Sequence, residues 1–546
     1  MTEKKTILLV SLFHPELVRG GAQQICYELF EGLREEPDYR TVLLASADSR
    51  FPALYKSGAR ITGFDERPNE YLFLSRDYDY WWHRLPNPLL LETYADFLGQ
   101  IKPDIVHFHH FLTFGVELIS LTRRVLPTAR IVFTFHEFLA ICTANGHMVR
   151  RFDNSLCRAA SQVRCHQCFP EHSPEDFFLR KLWLQRHFDN IDAFVCPSRY
   201  MIDHYADWGI DRQKLFHVAN GQRDYAAPSV RRVPANAEAR PRNRFGFFGQ
   251  MVDAKGVHIL LRAAEILRAE GFDDFTIEIN GDNERFASPE LRSEIEEFQS
   301  REAQRPQPER RVHFNGSYDV RGLAARMSRV DWVIVPSIWW EAFVLVISEA
   351  WMFGKPVICS NVGAMADRVA DGVDGLHFEM GSAPALARTI KHAATERGLW
   401  TRLAAGLPQP PSRAEMVAGY RRIYDTAGGN EEPNRLVNLA VAGRRNEARA
   451  DGGMRAVSTA PIRDPRPDKT PTANPAAAVV QVADAVALGR YRGASGFDPQ
   501  PQGPGPAARP TSAPADQPAA EQPTLPSGRR RRPARNGTDL RPDPVR

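Results

Sequence analysis

Short apolar runs alternate along most of the chain with amphipathic segments of helix length. In the first half, the runs that we expect to form strands are 7–11, 41–45, 104–108, 130–135, 192–196 and 215–220. In the second half, they are 245–249, 275–280, 311–314, 331–336 and 356–360. Apolar strands separated by helices are typical of parallel sheets covered on both faces. The pattern therefore predicts an α/β protein with two doubly wound, Rossmann-like domains facing each other across a cleft.

The helices expected between these strands complete the two units. They are 22–34, 92–101 and 115–125 in the first unit, and 256–270, 320–328, 342–353 and 383–395 in the second. A stretch rich in Pro, Ala and Arg at 225–243 has the composition of a linker. We therefore expect an N-terminal domain over 1–225 and a C-terminal domain over 226–410.

The composition changes after about residue 428. Pro, Ala, Arg, Gly and Gln dominate there, and long apolar residues become scarce. Such a segment cannot bury enough surface to offset the entropy of ordering it, so we expect a disordered tail over 429–546. The arginine run 529–532 is a solvated charge cluster in one interpretation, and a contact for anionic lipid or nucleic acid in the other. We favour the first.

Charge and cysteine content narrow the class of protein. The net charge of +4 over 546 residues does not by itself indicate a nucleic-acid or membrane partner. No apolar run approaches the roughly 20 residues that cross a bilayer. Seven cysteines are few and odd in number, which argues against a disulfide scaffold. We expect a cytoplasmic protein with no nucleic-acid partner.

Three predicted loops carry residues suited to a polar ligand, because ligands bind beyond the carboxyl ends of strands in open α/β sheets. Gly20 and Gly21 precede a helix, where backbone could approach a phosphate, although a plain turn would look the same. Lys255 could neutralise a diphosphate or be a solvated lysine at a helix start. His136 directly follows a buried strand, where it could donate a hydrogen bond to a sugar or be structural.

Two carboxylates, Glu341 and Glu349, bracket an apolar run in PSIWWEAFVLVISEA. Residues eight apart on a helix are separated by about 12 Å along its axis. That spacing exceeds the carboxyl separations of about 5 to 9.5 Å used by glycoside hydrolases. The pair suits a ligand with hydroxyls at both ends and a phosphate between them, as in a nucleotide-sugar. The alternative makes Glu341 a helix N-terminal charge and Glu349 a surface residue.

Four cysteines lie in one predicted insertion, 137–172, after His136. They are Cys142, Cys157, Cys165 and Cys168. Four thiolates from a short segment can close a tetrahedral structural zinc site. Free thiols or a redox-sensitive pair remain the alternative, and His166 or His172 could replace one cysteine.

These motifs, in this order, resemble the retaining family-4 glycosyltransferases (glycosyl transferases group 1) of the GT-B fold. The resemblance covers about residues 5–427. It rests on Gly20-Gly21, His136-Glu137, VANG at 218–221, FFGQ…KG at 247–256, Glu341-x7-Glu349 and GKPVICSNVGA at 354–364.

The resemblance implies roles for individual residues. Gly21 and Lys255 would contact the diphosphate of the sugar donor, His136 and Glu341 its sugar, and Glu349 its ribose. The catalytic residues would be His136, Glu341 and Lys255; the donor-binding residues would be Gly20, Gly21, Gln250, Lys255, Glu341, Phe343, Val344, Leu345 and Glu349. A helix at 411–428 would cross back onto the N-terminal domain. No metal or cofactor would be required for the chemistry, because basic residues and helix dipoles carry the leaving diphosphate.

Four positions depart from the family's pattern. Gln250 stands where an arginine is usual, which removes one positive charge from the phosphate site. Val344 stands where Gly or Pro is usual, Gly363-Ala364 replaces a double glycine, and Asp367 occupies a position that is often Glu. Each departure bears on the geometry of the donor site.

The resemblance thus implies a retaining glycosyltransferase that moves a hexose from a UDP- or GDP-sugar to a glycan or lipid-linked acceptor; bacterial surface-polysaccharide assembly follows by analogy with the family alone. Trp81, Trp82, His83 and Arg84, or Arg150 and Arg151, could meet an anionic lipid-linked acceptor at the inner face of the cell membrane. The alternative, which we favour, is a solvated or packed surface there. The rival function is that of an inactive homologue that acts as a scaffold through its arginine-rich tail.

Overall fold

The computed structural model describes residues 4–55, 58–223, 240–282, 284–318 and 320–426. The predicted tail at 429–546 and most of the predicted linker at 225–243 lie outside these residues. Among the described residues, no helix is both long enough and apolar enough to cross a membrane.

The N-terminal lobe is built on an eight-stranded sheet with the order β3-β4-β2-β1-β5-β6-β7-β8. All neighbouring strands are parallel except β3 and β4. Its elements are β1 (Lys5–Ser11), α1 (Gly21–Arg34), β2 (Tyr39–Ala47), β3 (Ile61–Gly63), β4 (Glu70–Leu74), α2 (Pro88–Ile101), β5 (Ile105–Phe108), α3 (Glu117–Val125), β6 (Arg130–Thr134), α4 (Gln162–Cys168), α5 (Pro174–Phe188), β7 (Ala193–Cys196), α6 (Arg199–Trp208) and β8 (Leu215–His217).

The C-terminal lobe has a six-stranded, wholly parallel sheet with the order β11-β10-β9-β12-β13-β14. Its elements are β9 (Arg244–Phe248), α7 (Val257–Ala269), β10 (Thr276–Asn280), α8 (Pro289–Gln304), β11 (Val312–Phe314), α9 (Val320–Met327), β12 (Trp332–Val335), α10 (Leu345–Met352), β13 (Val357–Ser360), α11 (Gly363–Arg368), β14 (Gly375–Phe378), α12 (Ala383–Thr395) and α13 (Leu399–Ala405).

The last described helix, α14 (Arg413–Asp425), belongs by its packing to the N-terminal lobe. Its buried face, which includes Val417, Tyr420 and Tyr424, joins one apolar cluster with Ile7 of β1 and Leu29 of α1. A capping box at Ser412 and Glu415 fixes the start of the helix. The chain therefore returns to the first lobe after completing the second.

The predicted fold class is confirmed: two parallel-sheet α/β lobes follow one another along the chain. Each strand predicted from apolar runs is present, with ends that differ by a few residues. The strands β3, β4 and β14 were not predicted; β3 has only three residues, whereas the apolar run of β4 was missed although it is as long as those of predicted strands. The helix predicted at 342–353 begins only at Leu345, because Val344 has a left-handed backbone. The predicted domain boundaries remain predictions.

Candidate active site

A cavity of about 760 Å³ lies between the two lobes, lined by loops that follow the carboxyl ends of strands in both sheets. We call it the interlobe cavity. Gly21 and His136 line it from the N-terminal lobe; Lys255, Glu341 and residues 343–345 line it from the C-terminal lobe. The structure therefore brings together most of the residues predicted for the site. Gly20, Gln250 and Glu349 are not among the lining residues.

Glu341 is 5% exposed and is held by three hydrogen bonds to one oxygen. Its Oε1 accepts from Nζ of Lys255 at 2.7 Å, from Oγ of Ser337 at 2.7 Å and from Nε1 of Trp339 at 2.8 Å. Tyr200 of the N-terminal lobe donates to the main-chain carbonyl of Glu341. A buried carboxylate requires such pairing, so the position of Glu341 is fixed by both lobes.

The loop that carries Lys255 is fixed by its backbone. Gly256, with φ of 70°, lies so close to Pro336 that a Cβ would collide with the Pro336 carbonyl oxygen. Asp253 accepts hydrogen bonds from the backbone N–H of Ser288 at 2.8 Å and from its Oγ at 2.6 Å. The ammonium of Lys255 has three N–H donors, so it can keep Glu341 and still bind an anionic oxygen.

Helix α10 begins after a turn in which Val344 has an unfavourable backbone conformation. Val344 has φ of 64° and ψ of 82°, a left-handed conformation that β-branched residues rarely adopt. The guanidinium of Arg368 donates to the carbonyl oxygens of Phe343 and Val344, both at 2.8 Å, and to Oγ of Ser348 at 2.7 Å. It also lies 3.8 Å from the centre of the Phe343 ring. Arg368 therefore holds the turn that places the first N–H groups of α10 at the cavity.

His136 is paired with a second histidine behind it. Nδ1 of His109 lies 3.0 Å from Nε2 of His136, and Nε2 of His109 is buried without a hydrogen-bond partner. A proton on Nδ1 of His109 avoids a buried, unpaired N–H group, so we assign His109 as the donor. His136 then carries its own proton on Nδ1. Desolvation, reinforced by the neighbouring His110, lowers the pKa of His136 to about 4, so the ring is neutral near pH 7.

A hydrogen-bonded chain connects helix α14 to His107, whose ring packs on His109. Nε2 of His107 lies 2.7 Å from Oγ1 of Thr134, which in turn lies 2.9 Å from the hydroxyl of Tyr420. Nδ1 of His107 lies 2.7 Å from the hydroxyl of Tyr424, and its ring packs on His109. Burial lowers the pKa of His107 and of His109 well below the usual value. The returning helix thus supports the neutral histidines that stand behind the cavity.

Glu349 takes a different environment from Glu341. Its carboxylate accepts a hydrogen bond from the side chain of Gln222, where the chain leaves the N-terminal lobe. Desolvation raises the pKa of Glu349 to about 7, and the carboxylate also raises the pKa of nearby Tyr318. Glu349 is not among the residues that line the cavity, whereas Leu345 and Val346, about one turn earlier on α10, are. A contact with the ribose of a ligand remains a prediction.

Several residues at the cavity were missed by the sequence reasoning. Trp339 packs edge-on against His147 of the insertion, with ring centres 4.6 Å apart. Trp340 stacks on Tyr200 at 5.9 Å, so two adjacent tryptophans contact the opposite lobe. Both precede Glu341 in a loop after an apolar strand, and the run His107 to His110 ends another such strand. The strand-end rule could have identified them.

Most of the predicted membrane-contact residues pack against the protein. The ring of Trp81 stacks on His172 at 3.5 Å, and Trp81 lines the interlobe cavity. His83 is 3% exposed. Arg151 pairs with Glu171, and the exposed Arg84 pairs with Asp79. A solvated or packed surface accounts for these contacts, and membrane contact stays a prediction.

The four cysteines of the insertion are free thiols and partly buried. All four line a second, small cavity of about 30 Å³. Among the described residues, no three His, Cys, Asp or Glu side chains are already disposed as ligands of a metal ion. The predicted zinc site is therefore neither supported nor excluded by side-chain geometry alone.

Two doubly wound lobes with a cavity at their facing strand ends define the GT-B class of transferases. Residues 19–222 match the family model described as Glycosyltransferase Family 4, and residues 242–396 match the one described as Glycosyl transferases group 1. The two matches span both lobes, so the chain belongs to this group of glycosyltransferases. The resemblance predicted from the motifs is confirmed, and the protein is an enzyme of this class.

Relatives and solved structures agree with this assignment. Glycogen synthase of Mycobacterium tuberculosis is 22% identical over 396 residues, which cover 70% of this chain and 85% of that protein. HepE of Anabaena in complex with UDP-glucose matches with a TM-score of 0.52 at 17% identity, over 77% of this chain and 100% of that one. Sucrose-phosphate synthase of Thermosynechococcus elongatus gives 0.53 at 16% identity, over 82% and 100%. The two structural matches show the shared fold.

Proposed function

We propose that this glycosyltransferase moves a hexose from a nucleotide-diphosphate sugar to a glycan or lipid-linked acceptor, with retention of anomeric configuration. One observation carries the proposal. A single cavity brings together Lys255 and the start of α10, which suit a diphosphate, with Glu341 and His136, which suit a sugar. The fold is shared with a protein solved in complex with UDP-glucose, which supports a nucleotide-sugar donor.

In the proposed reaction, the protein positions the substrates and stabilises negative charge on the leaving phosphate, and no side chain has to transfer a proton. The bond between C1 of the sugar and the diphosphate oxygen breaks, and the acceptor oxygen bonds to C1 on the same face. The acceptor proton passes to the departing phosphate oxygen. Lys255 and the N–H groups at the start of α10 stabilise the negative charge that develops on that phosphate, and we expect no metal or cofactor to be required.

On the sugar side, His136 and Glu341 would hold the ring. With its proton on Nδ1, neutral His136 can donate to a sugar hydroxyl without adding charge. Because three donors converge on Oε1 of Glu341, its Oε2 is the oxygen that we propose for a hydroxyl of the sugar. Glu349 would act at the other end, on the ribose.

The acceptor would enter along the side of the cavity that the N-terminal lobe lines. Tyr80, Trp81 and Phe169 lie on this side, and flat aromatic rings suit a sugar ring or an apolar lipid carrier. A role in surface-polysaccharide assembly, at the inner face of the membrane, rests on analogy with the family.

Binding and slow hydrolysis of the sugar donor test this function. The full chain is incubated with UDP-glucose, UDP-galactose, GDP-glucose or GDP-mannose, and both the thermal midpoint and the release of free nucleotide are measured. We expect one donor to raise the midpoint and to release nucleotide, with the sugar first appearing in the anomeric form of the donor. The variant Lys255→Ala should lose both effects, whereas Lys391→Ala, at an exposed lysine paired with Glu270, should keep them.

Three results would contradict the proposal. Stabilisation by no nucleotide-sugar would favour the inactive homologue. Binding without release, in the presence of a mixed glycan or lipid-linked acceptor, would favour it as well. Product of inverted configuration would exclude the retaining mechanism.

A further inference from the structure

The four cysteines of the insertion line one small cavity in the fold. Cys165 and Cys168 lie one helical turn apart in α4, while Cys142 and Cys157 come from the loops before it. All four line the small cavity of about 30 Å³, which is about the volume that one water molecule occupies in the liquid. None is in a disulfide. The other cysteines, Cys26, Cys196 and Cys359, are buried separately in α1, β7 and β13.

Backbone groups hydrogen-bond to three of these four sulfur atoms. Ala144 and Met148 contact Cys142, Ser161 contacts Cys165, and Arg151 contacts Cys168. Burial is the larger effect and raises the pKa of all three thiols, that of Cys142 to about 12, so these cysteines are protonated in the metal-free protein.

Positive charge also collects around the cavity. Arg150 and Arg164 line it, and the Arg180 guanidinium interacts with Cys142 and Cys165. One divalent ion bound by four thiolates carries a net charge of about −2, which nearby arginines can balance.

The two histidines that could replace a cysteine are engaged elsewhere. Nδ1 of His166 lies 2.7 Å from the carbonyl oxygen of His172, and the ring of His172 stacks on Trp81. Neither histidine lines the small cavity. The donor set is therefore sulfur only, which suits zinc in tetrahedral coordination.

We propose that Cys142, Cys157, Cys165 and Cys168 bind one structural zinc ion. The thiols surround the cavity without yet converging as ligands, so binding would turn the side chains inward and release their protons to solvent. The ion would close the insertion into a rigid unit.

The position of the insertion gives this ion a second effect. Thr143 and Asn145, just after Cys142, line the interlobe cavity, and His147 packs on Trp339, which donates to Glu341. A zinc ion would thus fix one wall of the interlobe cavity. This consequence rests on the proposed function, whereas the binding of zinc does not.

Metal content tests the site without reference to activity. The full chain is purified without chelators or a metal-affinity tag, and zinc is measured by mass spectrometry. We expect about one zinc per chain in the native protein and in Cys196→Ser, and less than about a fifth of that in Cys165→Ser and Cys168→Ser. Native protein that carries neither zinc nor the capacity to bind added Zn²⁺ with high affinity would overturn the proposal, as would full zinc retention in both insertion variants.

Cobalt substitution identifies the ligands even if the variants fail to fold. Native protein reconstituted with Co²⁺ should show strong sulfur-to-cobalt charge-transfer bands and the intense visible bands of tetrahedral coordination by four sulfurs. Bands of octahedral oxygen coordination would overturn the assignment. Iron in place of zinc, or a disulfide among these cysteines in protein handled anaerobically, would overturn it too.

Removal of the metal tests whether zinc affects catalysis, separately from whether zinc binds. If zinc is present and a chelator removes it, the rate of transfer should fall at least tenfold and return on addition of Zn²⁺. If the enzyme proves inactive with every nucleotide-sugar, the zinc content still decides the metal site.

Discussion

The two walls of the interlobe cavity arrange their charges differently. In the C-terminal wall, the ammonium of Lys255 pairs with the carboxylate of Glu341, and the guanidinium of Arg368 binds the carbonyl oxygens of a strained turn. In the N-terminal wall, burial keeps His136 and the His109 behind it neutral, while the carboxylate of Glu137, whose pKa is lowered, lies 3.1 Å from His110. The first wall suits a diphosphate that gains negative charge, and the second suits a sugar whose hydroxyls stay neutral throughout.

This difference arises from how each wall is covered. In the N-terminal lobe, Tyr420 and Tyr424 of α14 contact the buried His107 and His109, while His136 keeps part of its surface exposed at the cavity. In the C-terminal lobe, the loops after β9 and β12 contact each other through Lys255 and Glu341. Replacing one residue in each wall tests its contribution.

Removal of the charge on the C-terminal wall should have the largest effect. In Lys255→Ala, the leaving diphosphate loses a cation while Ser337 and Trp339 still hold Glu341. We expect kcat to fall about 10²- to 10³-fold, by analogy with the loss of one preorganised oxyanion contact. Steady-state kinetics with the identified sugar donor measures it, with Lys391→Ala as the matched control. A decrease of less than threefold would show that Lys255 is not the phosphate contact.

Replacement of the neutral histidine should have a smaller effect with a different dependence on pH. His136→Phe removes one hydrogen bond to the sugar, so kcat/KM should fall about 10- to 100-fold. Because the pKa of His136 is lowered to about 4, the native enzyme should keep its activity as the pH falls to about 5, and lose it only towards 4. A pH–rate profile of native protein and variant decides this. A loss centred near pH 6.5 that disappears in the variant would mean that His136 has an ordinary pKa.

The sequence predicted individual residues of the candidate site better than the side chains that hold them in place. His136 and Lys255 were found because each follows a buried strand, where a local rule applies. The partners of these residues are distant in sequence: His107 meets Tyr424 from 317 positions away. Arg368 could not be assigned, because its role depends on a backbone angle at Val344. The spacing argument took Glu341 and Glu349 as residues of one helix, but Glu341 precedes α10, and Gln222, the neighbour of Glu349, comes from the other lobe.

The carboxyl group of Glu349 should make the stability of the protein depend on pH. The folded pKa of Glu349 is raised from its ordinary value of 4.5 to about 7, so the folded protein holds a proton that the unfolded chain releases. Stability is therefore full below pH 4.5 and falls as the pH rises towards 7. Glu349→Gln lacks this loss, so its stability relative to native protein should rise by about 1–3 kcal/mol between pH 5 and pH 8.

Urea unfolding at the two pH values measures this difference, since effects common to both proteins cancel. Gln222 can still donate to the amide oxygen that replaces the carboxylate. Glu297→Gln, at an exposed position on α8, serves as the control and should show no such dependence. An equal stability difference at pH 5 and pH 8 would mean that Glu349 is ionised in the folded protein throughout.

The smallest expected effect concerns the strained turn of the C-terminal wall. At φ of 64°, the left-handed backbone of Val344 costs about 1–2 kcal/mol of folding free energy, and glycine would avoid this cost. Glycine would in turn cost about 0.5–1 kcal/mol, because the unfolded chain gains entropy, and it would lose the packing of the valine side chain. Val344→Gly should therefore be close to native in stability. Val344→Ala keeps the unfavourable backbone without the packing, so it should be less stable than the glycine variant by about 1 kcal/mol. At an ordinary helical position, the alanine variant would be the more stable of the two. Urea unfolding of both variants measures the order, and a more stable alanine variant would mean that residue 344 does not have a left-handed backbone in the folded protein.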